Sequence, residues 1–267
     1  MSNPKLTIVA SNRDRLNAKD CSRSEWFIKS VQWQSYENFE LLIADGGSNN
    51  YEEIKSYFEH HDGPIPMRIV QHKIGEAFLR AFLNNLGIRH AKGEYVLCTD
   101  VDMIFGKDFF KIVMENVREN TLVESRTMYL KNNVLEKIYS GELDPYNNLD
   151  SIKLSRIKKR TSAGGTQCMI ANKENKGWQL VGGFDEKGYI GWGSEDWDLL
   201  TRCKYAGIKV RWLGESVNDI MLFHQNHPKI DIKKDLMYQE INKKTLRRLA
   251  VEKYFKVNNE GWGGVKD

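Results

Sequence analysis

The chain is predicted to be an α/β protein with a mixed, mainly parallel central sheet flanked by helices. Three observations carry this prediction. From Leu6 to Thr99, apolar runs of strand length alternate with segments of helical period. Polar clusters follow three of those runs directly, at Ser11-Asn12-Arg13, Asp45-Gly46-Gly47-Ser48 and Asp100-Val101-Asp102, and the carboxyl ends of parallel strands are where such sheets bind ligands. The composition, 267 residues with 40% hydrophobic and 28% charged, supplies enough apolar material for a large core.

In order, Leu6 to Ala10 reads as a buried strand and Cys21 to Gln32 as a helix with Trp26, Phe27 and Val31 turned inward. Phe39 to Ala44 is a second strand, with Asp45 to Asn50 as its turn. Tyr51 to Glu59 is a helix with Ile54, Tyr57 and Phe58 on one face, and Met67 to Val70 is a third strand. Glu76 to His90 places Phe78, Leu79, Phe82, Leu83 and Leu86 at helical spacing, and Tyr95 to Thr99 is the fourth strand. This rhythm predicts right-handed βαβ units. Further on, Phe109 to Glu115 reads as a helix, and Leu122 to Tyr129 and Gly165 to Ala171 as strands. A helix reaching Ala206 stops at Gly207. Lys209 to Leu213 and Asp219 to Phe223 are strands, and Ile230 to Phe255 is a long, basic helical tail. That tail is amphipathic enough to pack on the domain or touch an anionic membrane face. Asn258 to Gly264 is expected to close over the site.

Charge and cysteine usage narrow the classes. Forty basic against 36 acidic residues leave a formal charge of +4, which does not single out nucleic acid and suits an anionic substrate or membrane surface as well. No nucleic-acid partner is expected. Cys21, Cys98, Cys168 and Cys203 are scattered, without CxxC spacing, which predicts reduced thiols rather than a zinc cluster or disulfide frame. No signal peptide is read at the N-terminus, and no apolar stretch approaches the ~20 residues needed to span a bilayer. The expected location is therefore the cytoplasm, with the inner face of the membrane in reach of the basic tail. Neither GxGxxG nor GxxxxGK[ST] occurs, which argues against dinucleotide and P-loop binding.

The chemistry concentrates in few places. Val181 to Leu199 carries five glycines, Trp192 between two of them, and Ser194 as a helix N-cap before Glu195, Asp196 and Asp198. Carboxylates beside an aromatic plate form a plausible site for sugar hydroxyls; a capped helix after a glycine turn is the structural alternative. Asp100 and Asp102 alternate on an extended chain and share one side, an arrangement of hard oxygens that suits Mg²⁺ or Mn²⁺ holding a diphosphate. Asp45 reads either as an acceptor for a base N–H or as a turn residue. His224 ends a strand and is a ready metal ligand or phosphate contact. Met221 is a soft ligand or a core residue. The basic run Lys153 to Arg160 either covers phosphates or is a solvated helix face.

Together these residues resemble the metal-dependent glycosyltransferases of the GT-A (Rossmann-like) fold. The likeness is to family-2 enzymes and to the galactosyltransferase and N-acetylgalactosaminyltransferase type domain of β-1,4-galactosyltransferases and bacterial chondroitin polymerases. It runs from Thr7 to about Pro228. Asp45-Gly46-Gly47-Ser48 is similar to the turn that holds uracil and ribose, and Arg80 to Ile88 to the helix before the metal motif. Thr99 to Met103 matches the D-x-D signature. Gly182 to Glu186 with Gly191 to Asp198 matches the acceptor and base motif, and Met221 to His224 the M-x-x-H metal element.

The resemblance implies a glycosyltransferase unit over residues 1–228, a nucleotide-sugar half (1–105) and an acceptor half (106–228), followed by a helical extension over 229–267. Asp102 and His224 would ligate Mn²⁺, or Mg²⁺, with Met221 and Asp100 as further candidates. Ser11, Asn12, Arg13, Asp45, Gly46, Arg80, Asp100, Val101, Asp102, Trp192 and Gly193 would bind a UDP-sugar. Asp196 would be the general base with Glu195 beside it, and Trp192, Glu195, Asp196 and Trp197 would receive the acceptor. The implied reaction is inverting transfer of a hexose or N-acetylhexosamine of the Gal/GalNAc type to a glycan or lipid-linked glycan, as in surface polysaccharide synthesis. Two departures stand out: Trp197 replaces a frequent acid, and Gly46 replaces the second residue of the usual turn. A catalytically silent sugar-binding homologue and a sugar nucleotidyltransferase are the alternatives. The four residues Asp100, Asp102, Asp196 and His224 argue against the first. The lack of glycine in Ser11 to Arg15 argues against the second.

Overall fold

A computed structural model of the chain describes residues 3–16, 22–60, 63–75, 77–148, 152, 165–171, 173–191, 193–216, 219–227, 232–258 and 261–264. The expectations placed on Cys21, Glu76, Trp192, Pro228 and the run Lys153 to Arg160 fall outside these residues.

The strands are β1 (Leu6–Asn12), β2 (Phe39–Asp45), β3 (Met67–Gln71), β4 (Tyr95–Asp100), β5 (Met103–Phe105), β6 (Thr121–Ser125), β7 (Met128–Tyr129), β8 (Thr166–Ile170), β9 (Lys209–Leu213) and β10 (Leu222–His224). The helices are α1 (Ser22–Gln32), α2 (Tyr51–Glu59), α3 (Arg80–His90), α4 (Phe109–Asn116), α5 (Asn132–Tyr139), α6 (Gly177–Val181), α7 (Glu195–Tyr205) and α8 (Ile232–Glu252). A 3₁₀ turn follows at Trp262–Gly264.

Seven strands form one sheet in the order β3-β2-β1-β4-β8-β6-β9. Within it only β8 runs against its neighbours. The α/β expectation with a mixed, mainly parallel sheet is met. Both faces are covered, so the strands read as continuous apolar runs: β1 and β2 are buried along their whole length. One face packs Leu6, Ile8 and Leu97 against Phe27 and Val31 of α1 and Phe110 and Val113 of α4. The other packs Val9, Leu42 and Val96 against Ile88 of α3, Trp178 of α6 and Leu199 of α7. The chain order reverses between β1 and β4, and register sets Ser11 beside Asp100 there. A small second sheet, β5-β10-β7, lies after β4 and carries His224 at its end.

Several expectations need correction. Helix α3 begins at Arg80, later than expected: Ala77 to Leu79 are not helical, and Leu79 (φ −108°, ψ 75°) bridges to Gly191. Tyr57 is 40% exposed while Ile54 and Phe58 are buried, so α2 buries a narrower stripe. The strand expected over 122–129 breaks at Arg126: its amide turns to the Leu213 carbonyl, β6 staying in the large sheet and β7 joining the small one. The strand expected from Asp219 begins at Leu222, since the Asp219 amide closes a turn onto Ser216. Ser194 sits at φ 76° and makes no side-chain cap bond; the turn places it in the left-handed region, where its hydroxyl does not reach the helix amides. The terminal Trp262 does not close over the site but lies 7% exposed against α3, with Arg89 5.3 Å over its ring.

Glycine matters most where α3 crosses β1. A Cβ on Gly87 would stand 2.2 Å from Val9 Cγ1, so only glycine lets the helix lie this close. Gly87→Ala is expected to destabilise the fold by about 1–3 kcal/mol through overpacking. Urea unfolding reads this directly, and an unchanged midpoint would contradict the contact.

Candidate active site

The carboxyl ends of β1, β2 and β4 form the floor of the site. Asn12 is fully buried; it donates to Asp45 Oδ2 at 2.8 Å and accepts the Leu16 amide at 3.0 Å. Asp45 is equally buried. Its Oδ1 takes the amides of Gly47 and Ser48, each at 2.9 Å, and Gln71 Nε2 at 3.1 Å. Its Oδ2 takes Asn12 and the Ser48 hydroxyl. This is a satisfied turn carboxylate; accepting from a base would require one of these donors to give way. Gly46 sits in the same turn, its amide on the Asn12 carbonyl at 2.8 Å. Arg13 reaches the Gly75 and Ala77 carbonyls and pins the loop before α3. The Ser11 hydroxyl is buried without a partner, and Val101 turns into the core.

Asp102 meets two imidazoles. His227 Nε2 lies 3.1 Å and His224 Nε2 3.5 Å from Asp102 Oδ2, and one ligand atom from each residue falls within 4.8 Å of the others. The Asp102 carbonyl takes the Gln225 amide at 2.9 Å, which locks β10 beside the turn after β4. Burial opposes ionisation of Asp102, but the His227 hydrogen bond, with the His224 ring and the Arg15 guanidinium nearby, outweighs it and holds its pKa at about 2. Burial lowers the pKa of His224, against the pull of Asp102, which favours the neutral ring that binds metals. Asp102 Oδ1 and His224 Nδ1 are buried without partners. A donor set of one carboxylate and two imidazoles fits a divalent transition metal such as Mn²⁺ better than Mg²⁺, which prefers oxygen alone. Met221, three residues before His224, packs against Gly106 and the core.

Arg80 binds the rest together. It is 3% exposed, and its guanidinium meets Asp100 Oδ1 at 2.7 Å, Asp196 Oδ1 at 2.8 Å and Glu195 Oε1 at 3.1 Å. One side chain thus separates the D-x-D strand end from the start of α7. Burial raises the Asp196 pKa; Arg80 opposes this, Glu195 and Asp100 add to it, and the result is about 7. About a quarter of the Asp196 side chain, 24%, remains open, so an incoming hydroxyl has access to it.

The loop before α7 is clamped from two sides. Asn85 of α3 bonds both the amide and the carbonyl of Phe184 at 2.8 Å. Asn242 of α8 accepts the Ile190 amide and donates to the carbonyls of Ile190 and Gly193. Gly191 (φ 67°) could not carry a Cβ, which would stand 2.3 Å from the Tyr238 ring. Arg202, fully buried, pairs with Asp198 at 2.6 Å and donates to the Val181 and Gly183 carbonyls. Trp197 stands 52% exposed on the first turn of α7.

The structure adds residues that the sequence reading passed over. His227 is the third member of the Asp102–His224 cluster; its H-x-x-H spacing from His224 was the available signal. Arg15 places Nη1 3.0 Å from His227 Nε2, adding a fixed positive charge. Glu124, on β6 opposite Gln167, is 1% exposed, and neither of its oxygens makes a well-formed hydrogen bond. Burial foremost, with the Asp196 charge, pushes its pKa well up, against weaker pulls from Gln167 and Arg80. A glutamate within the apolar Leu122-Val123 strand was its only trace in the sequence.

The family model described as glycosyltransferase like family 2 matches residues 22–217, well over half of the chain. The chain belongs to this family. An uncharacterized glycosyltransferase of Rickettsia conorii is 28% identical over 159 residues, covering 53% of this chain and 22% of that protein. The chondroitin synthase of Escherichia coli is 22% identical over 224 residues, covering 72% of this chain and 31% of that protein. The family 2-like chain therefore spans less than a third of the length of either. Among solved structures, S. aureus TarS 1-349 in complex with UDP superposes with a TM-score of 0.57 at 15% identity, over 93% of this chain and 65% of that one. The mannosyltransferase PcManGT of Pyrobaculum calidifontis, in complex with GDP-Man and Mn²⁺, gives 0.59 at 14%, over 94% and 65%. These likenesses show the GT-A fold. Among the described residues no helix is long and apolar enough to cross a membrane.

The cluster geometry sets an expectation for metal binding. His227→Ala is expected to weaken Mn²⁺ binding at least tenfold by isothermal titration, and Met221→Leu to leave it unchanged. The reverse pattern would move the metal to the thioether.

Proposed function

We propose that this family 2-like domain is a metal-dependent, inverting glycosyltransferase. It moves a hexose or N-acetylhexosamine of the Gal/GalNAc type from a UDP-sugar to a hydroxyl of a glycan or lipid-linked glycan, in surface polysaccharide or glycan synthesis. The observation that carries this reading is the convergence of Asp102, His224 and His227 just after β4, with Asp196 tied through Arg80 to Asp100, two residues before Asp102.

Asp102, His224 and His227 would hold a divalent ion, preferably Mn²⁺, which supplies Lewis-acid neutralisation of the charge growing on a departing diphosphate. Arg15 adds positive charge at the same edge, where it costs no reorganisation. Asp196 removes the proton from the acceptor hydroxyl as that oxygen forms a bond to the anomeric carbon and the bond to UDP breaks. With a pKa of about 7, Asp196 is ionised enough near neutrality to accept the proton and basic enough to hold it. Arg80 orients this carboxylate, and Trp197, exposed beside it, offers a flat apolar face to a sugar ring. One displacement inverts the anomeric centre. Asp100, tied to Arg80, stands between the two functions and is available to a ribose or to a metal-bound water.

Two outcomes follow. Asp196→Asn is expected to lower kcat by ~10²–10⁴-fold, with Mn²⁺ binding and the thermal midpoint retained. The active form of Asp196 is the ionised one, so log kcat for the unmodified protein should rise with pH below about 7 and level off above it. Metal-dependent UDP release, measured with and without acceptor across a panel of UDP-sugars, reads both. Unchanged transfer by Asp196→Asn, or a profile flat from pH 5 to 8, would remove Asp196 as the base.

A further inference from the structure

The C-terminal helix α8 has two faces with different work. Its inner face holds the loop that leads into α7: Asn242 bonds Ile190 and Gly193, the Thr245 hydroxyl donates to the Gly188 carbonyl, and Tyr238 lies against Gly191. Asn242 and Leu249 are fully buried. The outer face is unlike an ordinary solvated face. Leu236, Met237 and Ile241 are 55%, 52% and 39% exposed, and Val251 is 81% exposed. At 100° per residue these four span an arc of about 140°. Lys233, Lys244, Arg247 and Arg248, all exposed, fall inside the same arc, with Lys243 at its edge. Two acids share this side, and each is paired within the helix: Glu240 with Lys243 and Glu252 with Arg248. The described side chains of the face therefore carry five cations against two acids. Phe255 and Lys256, just past the helix, are exposed as well.

We infer that this face docks on an anionic lipid bilayer. Apolar side chains interleaved with lysines and arginines suit the headgroup boundary, where the apolar groups enter the acyl edge and the cations extend to lipid phosphates. A solvent-exposed helix gains nothing from Met237 and Val251 in these positions, and a neutral protein partner would leave the lysines and arginines unmatched. The helix is 21 residues long, roughly 31 Å, so it can lie flat in the interface. Its inner face would then hold the 188–193 loop about one helix diameter, ~10 Å, from the lipid. Resting on the transferase reading, this arrangement selects a lipid-linked glycan among the acceptors, because such a substrate presents its sugars at that depth.

The test is co-sedimentation of the whole chain with phosphatidylcholine vesicles, with and without phosphatidylglycerol. Binding is expected only with the anionic lipid, falling as salt rises. The combined variant Lys244→Glu, Arg247→Glu, Arg248→Glu should lose it at least tenfold, and Met237→Ser with Ile241→Ser should weaken it severalfold, with circular dichroism and thermal midpoints unchanged. Equal binding to both vesicle types, or full binding by the charge-reversed variant, would overturn the proposal. So would self-association in light scattering that the serine variant abolishes, since the face would then join copies of the chain. Vesicle binding is read without turnover, so failure here leaves the transferase reading standing, and loss of transfer leaves the docking standing.

Discussion

The site depends on one buried cation. The Arg80 guanidinium is surrounded by carboxylates from β4 and α7, and it stays charged in the interior because those acids compensate it. The acids in turn tolerate one another because the guanidinium lies among them. Without it, Asp196 and Glu195, adjacent on the first turn of α7, would repel each other in a dry setting. The same contact joins two segments far apart in sequence, the D-x-D strand end and the glycine-loop helix. It therefore fixes both where the base candidate stands and how readily that group takes a proton.

The fold supplies the rest by bringing strand ends to one edge. Reversal of strand order between β1 and β4 opens the crevice, and the small second sheet turns His224 and His227 back onto Asp102. Glycines at close crossings let α3 lie on β1 and let the 188–193 loop lie on α8. Arg202 donates to the Val181 and Gly183 carbonyls and Asn85 to that of Phe184, so the irregular Val181 to Phe184 turn keeps its acceptors paired. Asn258, beyond α8, donates to the Gly182 and Phe184 carbonyls at 2.7 and 2.6 Å, so the C-terminal tail is part of the scaffold that holds the segment before α7.

Much of this was legible in the sequence. Strands such as Phe39–Asp45 and helices such as Tyr51–Glu59 follow from apolar period and flanking turns, and Asp102 and His224, singled out from separate segments, lie 3.5 Å apart. The misses have physical causes. Tertiary pairing of Leu79 with Gly191 overrode the helical period of residues 77–79. A change of sheet at Arg126 split one apolar run into two strands. Met221 reads as a ligand type beside His224, but its side chain packs on Gly106 and the core. Arg80 shows its role only through long-range contacts, His227 through those and its spacing from His224, and Glu124 only through the depth at which β6 lies.

The central claim is that Arg80 sets the protonation of Asp196, and the pH–rate profile of Arg80→Lys tests it most directly, with Mn²⁺ binding checked to show an intact fold. Lysine keeps one charge but cannot span three carboxylates, so the acidic limb near pH 7 should move to higher pH and the rate at neutrality should fall. A profile that superimposes on that of the unmodified protein would contradict the account.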